Sequence, residues 1–323
     1  MEILAGLVPI RHQIDKFMKK AALRTRTLPS SHPLRASLPP YWAADPLAPR
    51  AMFPLLGDAA LDAETPLTFV DRFGRASDED FSVLHAEAHP GARLVDDYAA
   101  RLVLNITDIP RKGTEEFDEW VAHTFSPRLR AAMADRRAAI LFTDGSLERR
   151  PGRWRSGAAF VLSRGSTVFQ ARRYARGISG VFDTEMFALA AGIAHAVRHE
   201  DFGAAETLHV FVDNRAAARA IVHPSRHASQ LCSVVACQHL RAFLERSPQH
   251  RVFIHWCPAH VGIPANEFVD QAAKAALRLE APNDVTWSAA RSRVVERMLA
   301  SWRLQAESAA YRGHQLRLPG KYR

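Results

Sequence analysis

Cysteine is scarce in this chain. Its 323 residues include three, Cys232, Cys237 and Cys257, an odd number with no C-x-x-C pair. That argues against a disulfide framework and against a structural zinc site, and it suits a reducing, intracellular compartment, nucleus or cytoplasm. Long apolar runs are lacking too. The most apolar stretch, Met186 to Val197, is about a dozen residues and holds His195, whereas a membrane span needs roughly 20. No membrane partner is expected. The opening MEILAGLVPI puts Glu2 before a short apolar run and has no small-residue cleavage site, so no secretory signal is read. The sequence has no internal repeat.

Acidic charge is the other deficit. Lys and Arg number 43 against 34 Asp and Glu, a formal net charge of +9. The excess is uneven: residues 1–135 hold 16 basic and 19 acidic side chains, residues 136–278 hold 19 and 11, and residues 279–323 hold 8 and 4. The middle and the tail are cationic, which suggests a polyanion as partner, although a plain solvated surface would carry the same charge. Residues 1–135 read as a connector-like extension. A basic helix over 2–25 places Leu4, Leu7, Ile10, Ile14 and Met18 on one face, with Pro9 as a kink or as the true start. A Pro-rich linker follows from Pro29 to Pro54. Further on, 101–107 has the character of a strand and 125–137 that of a helix, but no fold follows for the stretch as a whole. Residues 279–323 read as a basic helix, over 286–304, and a tail.

Residues 136–278 carry a sharper pattern. AAILFT (138–143) is a short apolar run ending in TDGS, a buried strand into a turn. GAAFVLS (157–163) and TVFQARRY (167–174) are two further strands joined by a tight turn at Arg164-Gly165-Ser166. Asp183 or Thr184 caps a helix with Met186, Leu189, Ile193 and Val197 on one face. LHVFV (208–212) is a strand running into an Ala-rich helix that Pro224 closes. A helix over 228–245, a strand over 252–257 and a helix from Asn266 to Leu277 complete the series. Three meandering strands followed by alternating strands and helices predict a mixed sheet with helices packed on it.

Four carboxylates fall at the ends of these elements: Asp144 after the first strand, Glu185 in a first helical turn, Asp213 after the fourth strand and Asp270 at the edge of the last helix's apolar face. Taken singly, each has a plainer reading, as turn residue, cap, first-turn acid or surface group. Together they lie where sites gather in open α/β sheets, at the carboxyl ends of strands. Converging acids repel unless they take up protons or bind cations. Hard divalent ions such as Mg²⁺ suit oxygen ligands, and two of them can clamp both oxygens of an in-line phosphodiester displacement.

These residues sit in four blocks: FTDGS (142–146), TEMFAL (184–189), VDN (212–214) and HVGIPANEFVDQAAK (260–274). In their order and element types they make 138–278 resemble the type 1 ribonuclease H domain, of the kind attached to non-LTR retrotransposon reverse transcriptases. The resemblance implies a five-stranded mixed sheet with helices on both faces, beside a mainly helical or irregular N-terminal extension. It implies two Mg²⁺ ions, with Mn²⁺ as a substitute. Asp144 would bridge both, Asp270 would help hold the ion that activates water, and Glu185 and Asp213 would hold the ion at the leaving oxygen. His260 would assist product release or proton transfer, and Asn266 and Glu267 would cap the last helix. The implied reaction is hydrolysis of the RNA strand of an RNA–DNA hybrid, with 2′-hydroxyls distinguishing the strands. Arg153, Arg155, Arg172, Arg173, Arg176 and Arg215 are candidates for phosphate contacts.

The sequence departs from the family's pattern before Glu185, where Gly180, Val181 and Phe182 stand in place of polar amides, and at Arg215. Residues 4–36 resemble the connector between polymerase and ribonuclease H in retroelement polyproteins, which makes a reverse transcriptase a further expected partner and the chain the C-terminal piece of such a polyprotein. No Y-x-D-D polymerase motif is present. Two other readings are open: a catalytically silent nucleic-acid binder of retroelement descent, and a DNA-cutting nuclease on the same fold.

Overall fold

The computed structural model describes residues 7–27, 33, 82–83, 93–150, 153–177, 179–198, 205–225, 227–259, 261–281 and 284–311. Two compact units are formed, one from Met1–His85 with Trp287–Arg323 and one from Ala86–Thr286. Among the described residues no helix is long and apolar enough to cross a membrane, and all three cysteines are free thiols.

In the first unit, helix α1 (Ile10–Thr27) starts directly after Pro9. Its packing face differs from the expected stripe. Leu4 lies outside the described residues, and Leu7, Ile10 and Ile14 are exposed. Val8 and His12, one turn apart, are buried instead. The His12 ring lies 5.9 Å from that of Trp302, and its Nε2 is 2.6 Å from Gln305 Oε1. A buried indole opposite and a hydrogen-bonded imidazole outweigh the helix's own apolar periodicity.

The second unit begins with a short helix α2 (Leu94–Asp97) and strand β1 (Leu102–Asn105). Helix α3 (Glu115–Trp120) runs through a π turn (Val121–Phe125) into α4 (Ser126–Ala134). Then come β2 (Ala138–Arg150), β3 (Arg153–Arg164), β4 (Thr167–Arg176), α5 (Val181–Arg198) and β5 (Thr207–Val212). The series ends with α6 (Arg215–Ala220), α7 (Gln230–Arg246), β6 (Arg251–Trp256) and α8 (Pro264–Ala276). The sheet order is β1-β6-β5-β2-β3-β4. The first four strands in that order are mutually parallel, and β3 and β4 are antiparallel.

This is the expected mixed sheet with helices on both faces, and β1, from the extension, joins the five expected strands as a sixth. Strand β2 is central, which explains its unbroken apolar run. Ala139 and Leu141 enter the core under α5 and α7, while Ile140 and Phe142 enter the core under α4 and α8. The turn between β3 and β4 is Gly165-Ser166, with Gly165 at φ +56°, where a glycine carries no steric cost. The α5 stripe of Met186, Leu189, Ile193 and Val197 is buried as expected. Neither Asp183 nor Thr184 is the cap of α5. The helix starts two residues earlier, and Asp183 accepts from Gly180 N at 2.9 Å, so the acid reaches back from the third helical position. Similarly, α8 is entered through Ile263 with Pro264 at its first position, which leaves Asn266 and Glu267 inside the first turn.

Candidate active site

Strands β2 and β5 are parallel neighbours, with Thr143 opposite Val212. Asp144 and Asp213 follow those two residues, so they stand side by side where β5 ends. The turn expected at TDGS is not formed, because β2 runs on through Asp144-Gly145 to Arg150, paired with β3. Gly145 admits the third acid. A Cβ there would lie 2.5 Å from Glu185 N and 2.7 Å from Thr184 Oγ1, so only glycine lets the first turn of α5 press onto β2. One carboxylate oxygen from each of Asp144, Glu185 and Asp213 falls within 4.8 Å of the others.

Burial makes this cluster costly. Asp144 and Glu185 are 7% and 5% exposed. Burial, then the charges of Asp213 and Asp270, push Asp144 up to about 7 against a weaker pull from the Gly145 backbone. Burial, then Asp144 and Asp213, hold Glu185 well above the ordinary carboxylate range. Glu185 Oε2 is buried without a hydrogen-bond partner among the described residues. An orphaned oxygen beside two further carboxylates is the donor set a hard divalent cation satisfies.

Asp270 stands apart from the three. It accepts from Lys274 Nζ at 2.7 Å, one turn along α8, in a half-exposed pair, and its charge is felt at Asp144. Gly157 brings α8 in: a Cβ there would lie 2.9 Å from the Ala276 methyl. His260 lies outside the described residues. Of the arginines, the Arg215 guanidinium lies 5.3 Å from the Trp256 ring and that of Arg176 is 4.0 Å from Phe187. Arg155 donates to Leu277 O at 3.0 Å, and Arg172 and Arg173 lie on the exposed edge strand β4. The side chain of Arg153 is not among those described.

Residues that sequence reasoning passed over support the site. Trp256 Nε1 donates to Asp213 O at 2.7 Å. Phe117 and Trp120, from the extension, lie 6.2 and 5.8 Å from the Trp256 ring. Lys112 Nζ donates to Ala259 O at 2.9 Å. An aromatic at the end of a strand is an ordinary core signal, so only the fold marks these groups. Asp183 accepts from three elements: Gly180 N, Ser229 Oγ and Thr286 Oγ1.

Comparison with solved structures finds similarity over less than half of the chain. The N-terminal RNase H domain of Rv2228c from Mycobacterium tuberculosis, solved as a fusion with maltose-binding protein, is 22% identical. That match covers 43% of this chain and 98% of the other, with a TM-score of 0.34. RNase H1 from Halobacterium salinarum is 18% identical over 43% of this chain and 97% of its own, with a TM-score of 0.32. A foamy viral protease–reverse transcriptase is 16% identical over 43% of this chain, with a TM-score of 0.34, and the match spans 20% of its length. No curated protein matches. The RNase H family model matches residues 136–278, the segment that carries Asp144, Glu185, Asp213 and Asp270.

Proposed function

We propose that this chain is an RNA–DNA hybrid ribonuclease, hydrolysing the RNA strand to 3′-hydroxyl and 5′-phosphate ends. The observation that carries the reading is the buried triad of Asp144, Glu185 and Asp213, with its orphaned Glu185 oxygen, inside the segment that matches the RNase H family model. Asp144, Glu185, Asp213 and Asp270 are the residues that would hold divalent metal, two Mg²⁺ ions with Mn²⁺ as a substitute. Bound there, metal would supply positive charge at the scissile phosphodiester and lower the pKa of a water so that it can lose a proton and attack as hydroxide.

The chain's own groups set the stage. Asp144 would serve both ions, the role the resemblance implies, with the carboxylates of Glu185 and Asp213 within 4.8 Å of it. Lys274 pairs with Asp270 at 2.7 Å, and a bound cation would compete with it for that carboxylate. Arg215, beside Asp213 and stacked on Trp256, is the arginine best placed to meet a phosphate. His260 moves a proton or assists release in this reading. A reverse transcriptase as partner rests on the resemblance of residues 4–36 alone.

The test is cleavage of an end-labelled RNA–DNA hybrid by the full chain, with Mg²⁺ and with EDTA, beside Asp144→Asn. Metal-dependent cutting of the RNA strand alone, lost in the variant, is the expected result. Hybrid bound but uncut in Mg²⁺ would replace the enzyme with a silent binder. Cutting of duplex DNA would make it a different nuclease.

A further inference from the structure

We infer that the extension ahead of the matched segment is a working part of this site, with Trp120 and Lys112 as positioning residues. The inference rests on the metal-dependent reading above and concerns residues outside 136–278. Its starting point is topology. Strand β1 pairs parallel to β6, Leu102 opposite Val252 and Asn105 opposite His255. A parallel strand delivers its chain to the same edge as its neighbours. Residues 106–114 therefore leave β1 at the carboxyl edge, where Asp144 and Asp213 lie.

Two contacts are made there. Lys112 Nζ donates to the carbonyl of Ala259, the residue before His260, at 2.9 Å. Thr114 then caps α3, its hydroxyl accepting from Phe117 N at 3.3 Å, with Glu115, Glu116 and Asp118 at the favourable end of the helix dipole. That cap aims Phe117 and Trp120 at Trp256. Phe117 is 2% exposed, and the ring centroids of Phe117 and Trp120 are 6.1 Å apart. Trp256, wedged against both, donates its indole N–H to the carbonyl of Asp213. The π turn after Trp120 then puts Phe125 edge-on to Phe211, two residues before Asp213. The aromatic cluster thus fixes the rotamer of Trp256, and Trp256 fixes the backbone that bears the carboxylate. Lys112 does the same for the backbone at Ala259, at the end of the segment that follows β6.

A merely structural role would cost stability and nothing else, so the test separates the two. Mn²⁺ binding to the full chain is measured by calorimetry, without substrate, for the wild type, Trp120→Ala, Trp120→Phe and Leu129→Ala. Leu129 packs in the same core away from Trp256 and controls for stability loss. Trp120→Ala is expected to weaken Mn²⁺ binding roughly tenfold, the low end for groups supporting metal ligands, with Trp120→Phe largely restoring it and Leu129→Ala leaving it unchanged. Lys112→Met is expected to lower kcat about threefold at unchanged KM, as loss of one exposed hydrogen bond acting on the loop allows. A wild type that binds Mn²⁺ and cuts hybrid, with Trp120→Ala no weaker than Leu129→Ala and Lys112→Met unaltered, would overturn the inference alone. A wild type that neither binds Mn²⁺ nor cuts would overturn the proposed function and this inference with it.

Discussion

Gly145 and Glu185 are in backbone contact: a Cβ on the glycine would stand 2.5 Å from the nitrogen of the acid. The relationship joins the central strand to the helix that carries the third carboxylate. Neither side can yield cheaply, since Thr184 is fully buried behind it. Gly145→Ala is therefore expected to cost about 1–3 kcal/mol, as overpacking does, and to displace Glu185. Urea denaturation reads the first effect and Mn²⁺ titration the second. A variant of wild-type stability and affinity would show that α5 slides freely on β2.

Asp144 makes the metal-free protein sensitive to pH in one direction. Its carboxyl is raised from 3.8 to about 7. Between those values the folded chain keeps a proton that the unfolded chain has released, so stability falls as pH rises through the window. Asp144→Asn is expected to be more stable than the wild type at pH 8 in EDTA, by about 2–4 kcal/mol, since each tenfold change in proton affinity is worth about 1.4 kcal/mol. The gap should close below about pH 3, where the carboxyl is protonated in the folded and the unfolded chain alike. Saturating Mg²⁺ at pH 8 should raise the wild-type melting temperature and leave that of Asp144→Asn nearly unmoved. An unchanged or lowered stability of the variant in EDTA would deny the repulsion.

The central elements were legible because their signals are local. An apolar run before Asp144, a Gly165 turn and a 3.6-residue stripe each need only a few neighbours. The continuation of β2 past Asp144-Gly145 to Arg150, where the sequence reads as a turn, depends instead on its pairing with β3. Strand β1 was legible as a strand within 101–107, but not as a member of this sheet. Its four residues LVLN find their partner about 150 positions later in β6, and parallel pairing leaves no turn signature between the two. The packing face of α1 departs from its sequence pattern for a related reason. Val8 and His12 are buried because Trp302 faces them, which helix periodicity does not report. Asp183 was visible as a helix-start acid, but its bonds to Ser229 and Thr286 depend on tertiary closure.

A second pH response runs the opposite way. His209 Nδ1 lies 3.0 Å from His255 Nε2, and Asn105 Nδ2 is 3.2 Å from His255 Nδ1. Burial lowers His209 to about 4, and burial together with His209 lowers His255 to about 3. Unfolded histidines take up protons near 6.5 while these remain neutral, so stability from the pair is full above that pH and is lost as pH falls toward 4. The window overlaps that of Asp144, and the wild-type slope is the sum of two opposed contributions. Single variants separate them. His255→Phe keeps the stack on Phe211, whose ring is 4.7 Å away, and is expected to gain on the wild type by about 1–2 kcal/mol between pH 7.5 and pH 4.5. Parallel pH curves for the two proteins would mean that the imidazoles titrate freely.

Asp183 gives the sharpest test of how the helix that bears Glu185 is held. It is 4% exposed and accepts from Gly180 N at 2.9 Å, Thr286 Oγ1 at 2.6 Å and Ser229 Oγ. Ser229 itself sits at φ 60°, ψ 29° ahead of α7, in the left-handed region. Removing the acceptor strands donors from three elements, so Asp183→Ala is expected to cost about 2–4 kcal/mol and to weaken Mn²⁺ binding through Glu185, two residues on. Ser229→Gly removes one bond but relieves about 1 kcal/mol of backbone cost, and should stay within about 1 kcal/mol of the wild type. Urea melts of the two variants decide between a hub and a bystander: equal, small losses would make Asp183 one surface-like contact among others, whereas a large loss confined to Asp183→Ala identifies the carboxylate as the point where the segments around α5 and α7 are joined.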